Sequence, residues 1–276
     1  MERREDEKTS LHEVLKKYGI RAKKNLGQHW LVSEDVIRKI IGACGGAGGI
    51  LEIGPGIGIL TKHLVNLAPT WAIEIDERLE KPLKVNVPDA KIFIGDVLKV
   101  DLINLLSLIP HPRVIVSNIP FYITTPILER LLSVYSNFDW AVIMLQKEVG
   151  EKLMAKVNDS KRITLSVLYQ YHFNIEIVCK VNKRDFVPPP SVNAMVLKLL
   201  PKVTERIQEF LEESIRVGFR YPRKTLLKNF IAQGIGDRRD IETWLTTNGI
   251  AITARPHQLS VEDWVRLASQ VPFRKN

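Results

Sequence analysis

A glycine-rich turn between an apolar strand and a helix is the feature of this sequence that most constrains its fold. Residues 49–61 read GILEIGPGIGILT, so a short apolar run enters three glycines with the spacing G-x-G-x-G before a helical stretch. Glycines let the backbone approach a bound group closely, and the first turn of a helix presents free N–H groups. The spacing differs from the dinucleotide pattern G-x-G-x-x-G, and glycines alone are weak evidence for a nucleotide site. The turn therefore predicts a binding loop whose ligand must be read from other residues.

Two acidic residues follow the next two apolar runs of the chain. Glu74 ends the run WAIE about twenty residues after the glycines, the position at which a nucleotide-binding fold holds ribose hydroxyls. Asp96 follows the run KIFI, and its carboxylate could accept a hydrogen bond from an adenine amino group. Either acid alone is more simply explained as a helix cap or a solvated charge. Together, after a glycine turn, they favour a nucleoside pocket.

A third apolar run, at residues 113–121, ends in groups that suit chemistry on an aromatic amine. Pro120 prevents an interior strand from continuing, so Asn118 lies at a strand's carboxyl end, where open α/β sheets bind ligands. The side-chain carbonyl of Asn118 and the backbone carbonyl of Ile119 are two acceptors for an exocyclic amine, and they would localise its lone pair. Phe121 could stack on a flat base, a contact that contributes ~1–3 kcal/mol. The alternative is a strand that ends in an asparagine turn beside a core phenylalanine.

Strands that alternate with helices indicate an α/β fold, with a mostly parallel sheet covered by helices on both faces. The last two predicted strands, 174–179 and 194–200, are joined by a proline loop, which favours an antiparallel edge strand. After them the pattern is helical only. The chain is therefore predicted to have three parts, a basic N-terminal arm over residues 1–30, an α/β domain over 31–200 and a small all-helical domain over 201–276.

The charge of the chain favours a polyanionic partner. Its net charge is +9 and its pI is about 9.5, which suits RNA, DNA or an anionic membrane surface. Arg216, Arg220, Lys224 and Lys228 stand four residues apart and suggest a basic stripe, which Pro222 divides between two helices. Contact with phosphate and simple solvation of the surface both fit this stripe.

The sequence also bears on compartment and metal binding. Cys44 and Cys179 are the only cysteines and stand far apart, which predicts a reduced intracellular setting and no metal site. The first residues, MERREDEK, lack the apolar core of a signal peptide. Residues 40–60 carry a single charge but eight glycines and a proline, so we expect a helix end, a loop and a strand there, and no membrane span.

Several motifs, in this order, resemble the ribosomal RNA adenine N6-dimethyltransferase family. They are KKNLGQHWL, LEIGPGIGILT, AIEID, the GD after the third strand, NIPF, MLQKEV, FVPPPSV, RKTLLKN and RPHQLSVED. The resemblance covers roughly residues 23–267, and its motifs are modest singly but specific together. It implies a class I, Rossmann-like methyltransferase fold with a seven-stranded sheet, and S-adenosyl-L-methionine as the cofactor.

The resemblance also implies a role for individual residues. Those implied to bind the cofactor are His29, Leu31, Gly54, Gly56, Gly58, Glu74, Asp96, Val97 and Asn118. Those implied to act on the target adenine are Asn118, Pro120, Phe121 and Phe186. In this scheme the N-terminal arm closes on the cofactor, Glu74 takes the ribose and Asp96 takes the adenine amine. Phe121 and Phe186 would enclose the target base.

The implied activity is dimethylation of N6 on two adjacent adenines near the 3′ end of small-subunit ribosomal RNA, during ribosome biogenesis. We expect a cytoplasmic monomer that needs no metal and acts on an unpaired or flipped adenine. Three alternatives stay open at this point. They are a large-subunit ribosomal RNA dimethyltransferase, a DNA adenine methyltransferase and a non-catalytic RNA-binding assembly factor.

Overall fold

The computed structural model describes residues 11–23, 26–202 and 210–269. The first ten residues of the predicted arm lie outside the described residues, as do Lys24 and the start of the helix predicted from Thr204. Among the described residues, no helix is long and apolar enough to cross a membrane.

The strands and helices alternate as the sequence predicts. The strands of the described chain are β1 (Trp30–Leu31), β2 (Gly49–Ile53), β3 (Thr70–Glu74), β4 (Lys91–Ile94), β5 (Arg113–Asn118), β6 (Trp140–Gln146), β7 (Phe173–Val181), β8 (Phe186–Val187) and β9 (Ala194–Pro201). The helices of its first part are α1 (residues 11–17), α2 (Glu34–Ala43), α3 (Thr61–Leu64), α4 (Glu80–Asn86), α5 (Leu102–Ser107) and α6 (Thr124–Leu132). The later helices are α7 (Lys147–Leu153), α8 (Thr164–His172), α9 (Leu211–Gly218), α10 (Leu226–Ala232), α11 (Arg238–Thr247) and α12 (Val261–Ala268).

Seven strands form one sheet in the order β4, β3, β2, β5, β6, β9, β7. Neighbours from β4 to β6 pair in parallel, and β9 pairs antiparallel with β6. This confirms the predicted α/β class with a mostly parallel sheet. The antiparallel strand does not lie at the edge, because β9 is inserted between β6 and β7 and leaves β7 outermost.

The central strands are apolar because helices cover both faces of the sheet. Every residue of β2 is buried, and so are the four residues from Val114 to Ser117 in β5. The core on one face includes Ile37 from α2, Leu64 from α3 and Val196 from β9. Full burial of an aliphatic side chain of this size stabilises a fold by about 1.5–3 kcal/mol, so this core fixes the ends of the strands in place.

A separate two-stranded sheet joins β1 to β8, and the sequence did not predict it. Trp30 pairs with Val187 and Leu31 with Phe186, in antiparallel register. Val32 adds a bond from its N–H to the carbonyl oxygen of Asp185, at 2.8 Å. Strands of two residues carry no periodic signal, so the sequence predicted a turn at the first strand and a proline loop at the second.

The chain divides into two units, and the division differs from the predicted domains. Of the described residues, the first unit contains 11–23, 26–150 and 174–201, and the second contains 151–173, 202 and 210–269. The predicted boundary near residue 201 coincides with one division, but 151–173 lies with the second unit. The reason is that α8 packs on α9 and α12.

Candidate functional site

The carboxyl ends of β2, β3, β4 and β5 meet at one edge of the sheet. The register places Ile53 opposite both Ile73 and Ser117, and Glu74 opposite Ile94. The parallel ladder continues past the strands, since the N–H of Gly54 bonds to the Ile73 carbonyl at 2.9 Å. A pocket of about 780 Å³ opens at this edge. The predicted site residues that line this pocket are His29, Gly54, Gly56, Glu74, Asp96, Val97, Asn118, Pro120 and Phe121.

Two of the three turn glycines line this pocket. Gly54 has φ +74° and Gly56 has φ +64°, a region that side chains disfavour. A Cβ on Gly56 would stand 2.7 Å from Nε1 of Trp30, so the indole packs directly on the turn. A Cβ on Gly54 would meet no protein atom within 4 Å, so this glycine borders open space. Gly58 does not line the pocket, and a Cβ there would contact Leu83 and Val87.

Glu74 is a buried carboxylate that is held in place by two backbone donors. The N–H of Gly56 donates to its Oε2 at 3.0 Å, and the N–H of Asp76 donates to its Oε1 at 2.9 Å. Burial raises the pKa of Glu74, and these two hydrogen bonds lower it in part. Because a carboxylate offers about four acceptor positions, two remain for the hydroxyls of a ligand.

Asp96 and Val97 lie beside Glu74, after the adjacent strand. The Gly95 N–H bonds to the Glu74 carbonyl at 2.8 Å, which keeps this loop against β3. One oxygen of Asp96 accepts from the N–H of Leu98 at 3.0 Å, as an N-cap would. Asp96 also lines the pocket, so its capping bond leaves room for the predicted role in binding, which stays a prediction.

The motif at Asn118 faces the same pocket from the end of β5. Nδ2 of Asn118 donates to the carbonyl of His29 at 3.1 Å, which ties the strand end to the N-terminal segment. Among the described residues, nothing donates to Oδ1 of Asn118. The N–H of Ile119 bonds to Met144 at 2.9 Å, so the strand end is fixed on its other side. The half-buried Phe121 ring lies 6.1 Å from the His29 ring, centroid to centroid.

Two further predicted residues lie outside this pocket. Leu31 lines an adjoining cavity of about 470 Å³, which shares Trp30, Gly54 and Asn118 with the first. Phe186 is 2% exposed and packs in the core beside its strand partner Leu31. Phe186 therefore does not line the pocket in this structure, and its predicted role as a second aromatic wall stays a prediction.

Three further residues at the pocket were not predicted from the sequence. Gln28 and Trp30 line it, and the buried Asp76 donates its backbone N–H to Glu74. Nδ1 of His29 also lies 2.7 Å from the Pro188 carbonyl. Gln28 and Trp30 stand in the quoted run KKNLGQHWL, and Asp76 stands in AIEID, so the signal was the motif itself rather than any periodicity.

A mostly parallel seven-stranded sheet with a glycine turn and successive strand-end acids around one pocket is the arrangement of a class I, Rossmann-like methyltransferase fold. A family model described as ribosomal RNA adenine dimethylase matches residues 19–271. The chain belongs to that family, which confirms the predicted resemblance.

Named relatives and solved structures agree with this assignment. A ribosomal RNA small subunit methyltransferase A from Macrococcus caseolyticus is 35% identical, over 95% of this chain and 94% of the relative. The protein of the same name from Trichormus variabilis is 37% identical, over 91% and 98%. The crystal structure of a dimethyladenosine transferase from Plasmodium falciparum has TM-score 0.71 and 27% identity, over 87% and 96%. That of the 23S rRNA methyltransferase ErmE has TM-score 0.65 and 24% identity, over 88% and 99%, and shows likeness of fold.

Proposed function

We propose that this protein uses S-adenosyl-L-methionine to dimethylate N6 of two adjacent adenines near the 3′ end of small-subunit ribosomal RNA. It would act as a monomer in the cytoplasm, during ribosome biogenesis. One observation carries the proposal, namely that the nucleoside acceptors Glu74 and Asp96 share a pocket with the amine acceptor Asn118. The names of the bacterial relatives support the small subunit as the source of the RNA.

The residues of the pocket fit this cofactor. Glu74 keeps two acceptor positions for ribose hydroxyls, and Asp96 supplies an acceptor for an adenine amine. The apolar side chains of Ile75 and Val97, which also line the pocket, suit the faces of a purine. The open space at Gly54 lets a ligand approach the backbone. When bound, the cofactor supplies a methyl group on a positively charged sulfur.

The chain's own residues orient the amine that receives this methyl group. Oδ1 of Asn118 and the carbonyl oxygen of Ile119 would accept hydrogen bonds from the two N–H groups of this amine. Pro120 keeps Ile119 extended. These acceptors stabilise the positive charge that develops on nitrogen, so no strong base is needed. Phe121 would stack on the ring. Aligning the reactants in this way can lower the activation free energy by ~7–11 kcal/mol.

Replacing Gly54 with alanine is expected to weaken cofactor binding beyond anything that its effect on the fold explains. A methyl group there would enter space that the ligand needs, and overpacking of 1–3 kcal/mol is about 5- to 150-fold in affinity. Gly249→Ala is the matched control, because Gly249 has φ +72°, has nothing within 4 Å and does not line the pocket. Both variants should lose about 1–2 kcal/mol of stability from backbone strain. Calorimetric titration with S-adenosylhomocysteine should show reduced affinity for the Gly54 variant only, and equal affinity in both would contradict the assignment.

An exposed basic corner in the second unit supports RNA as the substrate. Residues 219–236 contain four cationic residues and no acidic one. Arg220, Arg223, Lys224 and Lys228 are all exposed. The fully buried Asn229 fixes this corner, since its Oδ1 accepts from the N–H of Tyr221 at 2.9 Å and its Nδ2 donates to the Tyr221 carbonyl at 3.2 Å. A fixed group of cations matches a phosphate backbone better than a solvated stripe does.

Removing one cation from this corner should reduce both RNA affinity and its dependence on salt. For Arg223→Ala we expect the slope of log affinity against log salt to become shallower by about one, as for one lost phosphate contact. Arg238→Ala is the control, because Arg238 is exposed but pairs with Glu242 at 3.0 Å. Binding to small-subunit RNA is measured from low to moderate salt. An unchanged slope for the Arg223 variant would remove this corner from the interface.

The experiment that tests the function uses the purified chain, labelled S-adenosylmethionine and small ribosomal subunits that lack the modification. We expect dimethyladenosine near the 3′ end of the RNA, detected by nucleoside mass analysis. Transfer only to large-subunit RNA or to duplex DNA would contradict the proposal that small-subunit RNA is the substrate. Binding of both RNA and cofactor without any transfer would favour an assembly factor.

A further inference from the structure

The carboxylate of Asp76 is a buried anion that accepts hydrogen bonds from its own turn and from a residue distant in sequence. Its side chain is 2% exposed, and Arg78 donates to it from Nε at 2.8 Å and from Nη2 at 2.5 Å. The Arg78 hydrogen bonds lower the pKa of Asp76 to about 2, so the carboxylate is charged throughout the working pH range. Nε2 of Gln28 also donates to Asp76, at 2.8 Å and across 48 positions of sequence.

Gln28 in turn connects Asp76 to Lys23, which precedes it in the N-terminal part of the chain. Its Oε1 accepts from the backbone N–H of Lys23 at 2.8 Å, while Nζ of Lys23 lies 3.7 Å from Asp76. Nη1 of Arg78 reaches the carbonyl of Arg21 at 3.4 Å. The segment is therefore fastened to the end of β3 by one buried anion and the residues bonded to it.

This attachment bears directly on the pocket. Residues 26–30 form one wall of it, and Gln28 is part of that wall. Glu74 also lines the pocket, and its Oε1 accepts from the backbone N–H of Asp76. Asp76 thus connects the carboxylate assigned to the ribose with the wall that Gln28 fastens. Loosening the bond between Gln28 and Asp76 would remove the attachment of Gln28, while His29 stays bonded to Asn118 and Trp30 stays paired with Val187.

We infer that Gln28 is a positioning residue that fastens the pocket wall to Asp76 and thereby sets how fast the cofactor and its demethylated product leave. The inference rests on the proposed function, because it requires that this pocket holds the cofactor. The relevant chemistry is a neutral amide donor facing a permanent anion. A hydrogen bond to a charged group corresponds to about 10- to 100-fold in an equilibrium constant.

The test replaces Gln28 with glutamate, which keeps the shape but sets a second carboxylate against Asp76. At pH 8 the two charges repel, and we expect S-adenosylhomocysteine to dissociate about 10- to 100-fold faster than from wild type. Near pH 5 the introduced carboxyl begins to gain a proton, because the Asp76 carboxylate raises its pKa, while Arg78 and Lys23 beside Asp76 lower it in part, and once protonated it can donate again. The rate should then return toward that of wild type. Gln28→Ala should release the ligand faster at every pH.

Stopped-flow displacement of S-adenosylhomocysteine between pH 5 and pH 8 measures these rates against wild type, with melting temperatures as the check on folding. Gln233→Glu is the charge control, since Gln233 is exposed and does not line the pocket. Wild-type rates in both Gln28 variants would overturn the inference and leave the cofactor assignment intact. A faster but pH-independent rate in the glutamate variant would show a merely structural role. No binding by wild type would instead refute the proposed function.

Discussion

Replacing Asn118 with alanine is expected to lower methyl transfer by about 10²- to 10³-fold while cofactor affinity stays within a few fold of wild type. The variant lacks the side-chain acceptor for the target amine and the bond from Nδ2 to the His29 carbonyl. Loss of one preorganised group that stabilises developing charge lowers kcat by about 10²- to 10³-fold. Glu74, Asp96 and the glycine turn are untouched, so the nucleoside end of the pocket should still bind. Single-turnover transfer to small-subunit RNA and titration with S-adenosylhomocysteine measure the two effects separately.

Asn66→Ala is the matched control for this prediction. Nδ2 of Asn66 also bonds to a backbone carbonyl, that of Lys62 at 2.9 Å, but Asn66 is exposed and does not line the pocket. Its turnover should equal that of wild type. Normal turnover in the Asn118 variant would remove this residue from the mechanism. An equal loss of transfer and of cofactor binding would instead mean that Asn118 acts through the cofactor alone.

The sheet and its strand-end residues were predictable because local pattern alone determines them. Apolar runs set where β3, β4 and β5 end, and Glu74, Asp96 and Asn118 stand at or just after those ends. Parallel strands bring their carboxyl ends to one edge, so three sites far apart in sequence converge without any knowledge of tertiary contacts. The structure places all three in one pocket.

The remaining features depend on tertiary pairings that no periodicity reports. The bond between Gln28 and Asp76 joins an N-terminal segment to β3, and neither residue stands out by spacing. The same holds for the pairing of Leu31 with Phe186, which buries a ring that the resemblance assigned to the target base. Residues 151–173 follow a strand of the first unit but pack with later helices. Side-chain and inter-element contacts decide each case.

Glu52 is a buried acid in the middle of β2 that the predicted mechanism does not use. It is 2% exposed and lines the adjoining cavity, and its Oε2 has no hydrogen-bond partner in the described structure. Burial raises the pKa of Glu52 to about 8, while Thr61 lowers it in part and nearby Glu74 raises it slightly. A carboxyl with this pKa is neutral in the folded protein at neutral pH but ionised in the unfolded chain. The fold is therefore less stable at high pH.

Replacing Glu52 with glutamine should remove this dependence on pH. In wild type, the stability contributed by the neutral carboxyl is full below the unfolded pKa near 4.5 and is lost as pH rises through about 8. The free energy of unfolding of the variant, relative to wild type, should therefore rise by about 3–5 kcal/mol between pH 5 and pH 9, since each pKa unit is 1.36 kcal/mol. Denaturant unfolding across this range measures the difference, with exposed Glu213→Gln as the control for loss of one charge. A constant difference across the range would mean that Glu52 is ionised in the native protein, paired with a group that compensates its burial.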